Sequence, residues 1–168
     1  MADNMAMPRS ETEQDSSVGL IRVDRMYESL RYNDYSAENG LGEIVDNSVE
    51  AGAAHIAVEL RSEKVRRPEK KRAAQEVAEI VVVDDGCGMN PDTLHRCLAL
   101  GESIRTARNG RHGIGRFGVG MTLGGISLAR RIEVYSRTRG DEKFLFTFID
   151  LDEIRQGNLI EIPVPSEQ

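Results

Sequence analysis

Val81-Val82-Val83-Asp84-Asp85-Gly86-Cys87-Gly88-Met89 is the stretch on which the reading of this chain turns: a β-branched run ends on carboxylates, and two glycines follow one residue apart. Ile80 to Val83 are apolar without alternation, which predicts a strand covered on both faces, or the inner strand of a sheet packed on helices. Asp84 falls at the strand end, where one oriented acceptor can be held rigidly. Gly86 and Gly88 let the backbone turn and let a flat ligand approach without side-chain collision. These nine residues leave two readings open, a tight turn capped by an aspartate or a ligand site.

Upstream, Ser36 to Ala51 (SAENGLGEIVDNSVEA) reads as a helix with Ser36 as its N-cap and Gly52 where a helix ends. Winding it at 100° per residue puts Glu43, Asp46, Asn47 and Glu50 within an arc about 100° wide, with Leu41, Ile44, Val45, Ser48 and Ala51 on the opposite side. One reading of the polar side is a solvated face. Against it, three carboxylates crowd there with no interleaved Lys or Arg, whereas solvated faces mix signs at i,i+4. A divalent cation would relieve that repulsion, and an Asn carboxamide beside a Glu offers a hard oxygen for the cation and a candidate general base.

Between these stretches, His55 to Leu60 alternates as a strand with Ile56, Val58 and Leu60 inward. Arg61 to Arg72 is rich in Lys and Arg and carries Pro68, which predicts a long hairpin connection, either solvated or in contact with nucleic acid or a partner. Before them, Met26, Tyr27 and Leu30 fall at helical spacing. After Met89, Asn90-Pro91-Asp92 is a helix start, with Leu94, Cys97 and Leu98 on the buried face and an end near Gly101. Residues Gly101 to Gly120 (GESIRTARNGRHGIGRFGVG) are dense in glycine, which predicts a mobile loop running into a helix at Met121. Backbone N–H groups at such a helix start suit phosphate oxygens. The spacing is that of neither a Walker loop nor a dinucleotide fingerprint. Residues 131–137 and 143–149 read as an antiparallel pair joined across Thr138 to Asp141, and Leu159 to Ile162 as a last strand.

A chain of 168 residues is enough for one domain with a real core, and its net charge of −6 argues against a globally cationic nucleic-acid binder. No apolar run approaches the roughly 20 residues that span a bilayer, so no membrane partner is expected. Cys87 and Cys97 cannot make a disulfide framework, and the expected home is reducing: cytoplasmic, or nuclear in a eukaryote. Residues 1–18 are polar and read as a flexible arm ahead of a domain over 19–168.

In chain order, then, come a helix with Glu43-x-x-x-Asn47, a strand with Asp84-x-Gly86-x-Gly88, and a glycine loop ending Gly115-x-x-Gly118-x-Gly120. Over roughly Leu20 to Ile149 this resembles the ATP-binding domain of the GHKL superfamily. That group holds gyrase B-type subunits, the ninety-kilodalton heat-shock chaperones, histidine kinases and MutL, and its ATP site is called the Bergerat fold. Glu43 to Ala53 (EIVDNSVEAGA) is similar to MutL, gyrase and MORC proteins, and Ile114 to Met121 (IGRFGVGM) to MORC-type and related prokaryotic ATPases. The resemblance implies an α/β two-layer sandwich, a mixed, mostly antiparallel sheet with helices on one face.

It also implies roles. Glu43 would activate water, Asn47 would bind Mg²⁺, and Asp84 would accept from the adenine amino group. Gly86 and Gly88 would let adenine pack on backbone, with Met89 as an apolar wall. Gly115, Gly118, Val119 and Gly120 would close a lid on the phosphates. The implied function is Mg²⁺-dependent binding and slow hydrolysis of ATP, coupled to lid closure and homodimerisation. A transducer domain is not expected within these residues, and a DNA or protein client would be engaged through a larger assembly. A non-hydrolysing ATP-gated interaction module is the alternative. A histidine-kinase domain fits less well, because Ser48-Val49-Glu50-Ala51 follows Asn47.

Overall fold

The computed structural model describes residues 20–32, 35–66, 73–101 and 119–168. Their elements run α1 (Val23–Arg31), α2 (Ala37–Glu50), β1 (Ile56–Val65), β2 (Ala74–Asp84), α3 (Pro91–Arg96), α4 (Gly120–Leu128), β3 (Arg131–Ser136), β4 (Leu145–Asp150), α5 (Leu151–Gln156) and β5 (Ser166–Glu167). This is an α/β fold of helices and antiparallel strands. The described strands form two ladders, β1–β2 and β3–β4–β5. Residues 102–118 of the glycine loop, with Gly115 and Gly118 among them, lie outside the described residues, as does the arm over 1–18.

Local chemistry sets the helix ends. Ser36 is extended and its hydroxyl accepts from the Asn39 N–H, capping α2, and Gly52 follows at φ +74°, a left-handed turn that favours glycine. Asn90 accepts from the Thr93 N–H and puts Pro91 in the first turn of α3. Regular helix there stops at Arg96 rather than near Gly101, because Cys97 N–H reaches back only to Leu94 O and turns carry the chain onward.

The core joins α1, α3, α4, α5 and the inner side of β3–β4 through Tyr27, Leu94, Cys97, Leu98, Ile126, Val134, Ile149 and Leu151. Leu94, Cys97 and Leu98 are buried together as their spacing predicts. Burial pushes the Cys97 thiol up to about 12, so it packs as a small apolar group. Buried hydroxyls find backbone partners: Thr122 donates to Leu98 O at 2.9 Å and Thr147 to Pro163 O at 2.7 Å. Arg130 ties α1 to α5, reaching Glu28 at 2.5 Å and Asp152 at 3.0 Å.

Three segments depart from expectation. Val58 and Leu60 are 44% and 60% exposed rather than inward, and Val83 is 59% exposed rather than covered on both faces. The cause is that β1 and β2 pair only with each other among the described residues, and the ladder meets α2 near its Asp84 end. The basic stretch is shorter as a connection than expected. Arg61 to Val65 are paired in β1 around a bulge at Arg61/Ser62, and Arg61 meets Glu79 across the ladder at 2.8 Å. Residues 67–72 lie outside the described residues. Finally, Leu159 to Ile162 is not a strand. Asp150 caps α5 by accepting from the N–H groups of Asp152 and Glu153, and Pro163 and Pro165 have no N–H to offer a ladder. Pairing with β4 resumes only at Ser166 and Glu167.

Helices α2 and α4 touch backbone to backbone. A Cβ on Gly124 would lie 2.6 Å from Gly40 O, and one on Gly40 would lie 2.9 Å from Gly124 O and overlap Ser127 Oγ. Gly42, in the same helix, has nothing within 4 Å among the described residues. Gly124→Ala should therefore lower stability by about 1–3 kcal/mol through overpacking, while Gly42→Ala should raise it by about 0.5–1 kcal/mol through helix propensity. Urea midpoints of the two variants check this, and a stabilised Gly124→Ala would mean that the helices are not in contact there.

Candidate functional site

Helix α2 is the spine of the site. At its middle, Glu43 and Asn47 stand one turn apart, and the Asn47 Nδ2 donates to Glu43 O at 2.8 Å, leaving the Asn47 side-chain oxygen as that group's remaining acceptor. The Glu43 carboxylate reaches across to the start of α4, where a Cβ on Gly120 would overlap Oε2. Its other oxygen, Oε1, accepts from the Tyr35 hydroxyl at 2.8 Å. Burial, and then this carboxylate, push the Tyr35 phenol up to about 12. Val119 is the N-cap of α4 and Gly120 its first residue. The acidic face is thus split: Glu43 turns to Tyr35 and α4, while Asp46 remains exposed.

At its C-terminal end α2 meets the last residue of β2. Ser48, only 4% exposed, places its hydroxyl 3.0 Å from Asp84 Oδ2 and donates to it. The Gly86 N–H donates to Asp84 Oδ1 at 2.9 Å. Each Asp84 oxygen is therefore held by one donor, and a carboxylate has lone pairs to spare for another.

The glycines after Asp84 have packing reasons of their own. A Cβ on Gly86 would lie 2.8 Å from Ala51 Cβ and from Asp84 Oδ1. Gly88 has φ +70°, and a Cβ there would overlap the carbonyl oxygen of Arg137. Cys87 N–H donates to Ala51 O at 3.0 Å and Met89 N–H to Ser136 Oγ at 2.8 Å. The turn is thereby fastened to α2 on one side and to the end of β3 on the other. Met89 is half-buried against the core.

Asp85, beside Asp84, closes the loop between α2 and β1. Oδ1 accepts from the N–H groups of Ala54 and His55 at 2.7 and 2.8 Å, and Oδ2 lies 2.8 Å from His55 Nδ1.

The structure so brings Glu43, Asn47 and Gly120 together, and groups Asp84, Gly86 and Ser48 further along α2. Sequence reasoning missed Tyr35 and placed Ser48 on the apolar side of α2. It also passed over Gly40 and Gly124, whose signal was available, since glycine inside a helix is unfavourable unless something must come close. Tyr35 carried no such signal. Among the described residues, no three His, Cys, Asp or Glu side chains group to hold a metal ion, and no helix is long and apolar enough to cross a membrane.

The site thus has a carboxylate and a carboxamide on one helix, a strand-end aspartate held by a helix hydroxyl, and a glycine at the start of a second helix. Residues 35–168 match the family described as histidine kinase-, DNA gyrase B-, and HSP90-like ATPase, and the chain belongs to that family. Among curated relatives it is 32% identical over 107 residues to Protein MICRORCHIDIA 5 of Arabidopsis thaliana, a match covering 62% of this chain and 14% of the plant protein. The domain is thus of the GHKL ATP-binding type, with a likeness to MORC proteins.

The Asp85 links give a pH signature. Its carboxyl is held down from 3.8 to about 2, first by the His55 N–H, then by the His55 side chain and the Ala54 N–H. A carboxylate with a depressed folded value stabilises the protein above its ordinary range and loses that contribution as pH falls through the folded value. Asp85→Ala should therefore be less stable than the parent at neutral pH, and the gap should narrow as pH drops from 3.8 toward 2. Urea midpoints across that range test it; a constant gap would mean that charge on Asp85 plays no part.

Proposed function

We propose that this domain binds ATP with Mg²⁺ and hydrolyses it slowly, with Glu43 as the general base. The observation that carries the reading is the Glu43 carboxylate seated against Gly120 at the start of α4. A helix start presents unpaired N–H groups and a partial positive charge, which suit a terminal phosphate. A carboxylate beside it is where a water-activating base is needed. Asp84, held by Ser48 and Gly86, would accept from the adenine amino group, and Met89 would lie against the base. Gly86 and Gly88 would keep the backbone close to the ring.

The donor set fits a magnesium ion. Mg²⁺ prefers hard oxygens and takes one or two from protein with the rest from phosphates and water, so Asn47 Oδ1 alone is a sufficient protein contribution. When bound, the ion neutralises phosphate charge. In the chemical step a water oxygen bonds to the terminal phosphorus as the bond to the bridging oxygen breaks. Glu43 takes the water proton, and ADP leaves with the electron pair.

Glycine density in the sequence and membership of the family support a moving segment as well. Gly115, Gly118, Val119 and Gly120 would end a segment that closes over the triphosphate, and two copies would pair around bound nucleotide. A DNA or protein client would be reached through a larger assembly, in which a domain matching so small a share of the plant relative would be one part.

One panel of variants tests the site. Asp84→Asn keeps one oxygen for the Gly86 N–H, turns its amide nitrogen toward Ser48 and so replaces the charged adenine acceptor, and ATP affinity should fall at least about tenfold. Glu43→Ala should leave ATP affinity within a fewfold and lower turnover by roughly 10²–10⁴. Calorimetry and phosphate release read the two. Unchanged affinity in the Asp84 variant would sink the adenine assignment, and unchanged turnover in the Glu43 variant would sink the base. A parent protein that binds ATP without releasing phosphate would instead be a nucleotide-gated interaction module.

A further inference from the structure

We propose that Tyr35 is a positioning residue for ATP hydrolysis: by donating to Glu43 Oε1 it fixes the carboxylate so that Oε2 faces the start of α4, where water and the terminal phosphate would meet. The inference rests on the reading of Glu43 as the base.

The geometry is specific. Tyr35 comes directly before the Ser36 N-cap, so its backbone is anchored where Ser36 Oγ accepts from Asn39 N–H and Ser36 O accepts from Gly40 N–H. From there the ring reaches along α2 to a residue eight positions later, a span that serine or threonine could not cross. The bond is 2.8 Å long, the ordinary length of a hydroxyl hydrogen bond to oxygen. On the opposite side, Oε2 meets Gly120, where a Cβ would overlap it. One oxygen is thus held by a donor and the other is placed by the absence of a side chain.

The chemistry is that of a donor. With the phenol raised to about 12, Tyr35 keeps its proton at neutral pH and cannot itself serve as the base. Its hydrogen bond fixes the orientation of the Glu43 carboxylate. Orientation counts heavily when the reacting atoms must lie in one geometry, since small misplacements cost orders of magnitude in rate. Few other described groups compete for Glu43. The first turn of α4, Gly120 to Leu123, has no ionisable side chain, and on the same side of α2 the polar residues are Asn39, Asp46, Asn47 and Glu50.

Tyr35→Phe keeps the ring and removes only the donor. Turnover at the plateau should fall about tenfold with the KM for ATP within about twofold, a loss confined to the chemical step. Lost packing at the nucleotide site would raise KM as well, so the split between lowered turnover and unchanged KM is what reports the donor. Wild-type turnover in Tyr35→Phe, with Glu43→Gln inactive, would overturn the inference while leaving the base in place. Full turnover in Glu43→Gln, or a parent protein that binds ATP without turning it over, would overturn the base and this inference together.

Discussion

The placing of Glu43 depends on how closely α2 and α4 approach. Helix axes in proteins usually stand about 8–10 Å apart because side chains intervene, but here Gly40 and Gly124 let one backbone rest on the other. Glu43 is one turn beyond Gly40, and Gly120 one turn before Gly124, so the same crossing sets the carboxylate against the start of α4. A side chain at either glycine would wedge the helices apart and carry Glu43 away from Gly120. The geometry of the site is produced by missing Cβ atoms as much as by functional groups.

The other end of α2 is fastened by a different device. Asp84 and Asp85 are adjacent, yet their carboxylates serve different neighbours: Asp84 accepts from Ser48 and Gly86, and Asp85 from Ala54 and His55. Together they tie the end of β2 to the helix and to the loop that follows it. With Cys87 N–H on Ala51 O, the connection is continuous from Ser48 to Gly88. Distance between the two halves of the site is then set by the rise of a single helix, a rigid ruler. That rigidity suits a ligand that must be gripped at both ends.

How much of this could be read beforehand follows from the range over which each interaction acts. The caps at Ser36 and Asn90, the turn at Gly52, the buried trio Leu94, Cys97 and Leu98, and the β3–β4 pair are local, and all are where their residue types predict. Motif order and spacing singled out Glu43, Asn47, Asp84 and Gly120 without coordinates, and the structure sets the first of them against the last across the α2–α4 contact. The errors have physical causes. Val58 and Leu60 alternate like core residues, but alternation cannot say whether anything covers the face it creates. Helix α5 was missed although Asp150 and Glu153 carry the signature of a capped start, because six residues are too few to show a helical period. Tyr35 and Ser48 were missed for a deeper reason. Each acts on a partner in another part of the fold or two turns away, and no short-range pattern marks such a residue.

The electrostatics of α2 bring these threads together. A triphosphate is strongly anionic, and the described part of the site offers it Glu43, Asp46 and Asp84, which is unfavourable unless charge is compensated. The α4 start supplies a partial positive charge close by, worth about 0.3–1 kcal/mol in exposed settings and up to about 2 where partly buried. That is small beside several phosphate charges. Further compensation can come from a divalent cation and from the sequence joining Gly101 to Val119, where Arg105, Arg108, Arg111 and Arg116 stand against the single acid Glu102. Under the proposed function, nucleotide, metal and that basic sequence would therefore be coupled: each lowers the electrostatic cost of bringing in the others. Under the same proposal the acidic helix would act as a selector, admitting a triphosphate far more readily with its metal, while Tyr35 and the close approach of Gly120 hold the Glu43 carboxylate in one orientation.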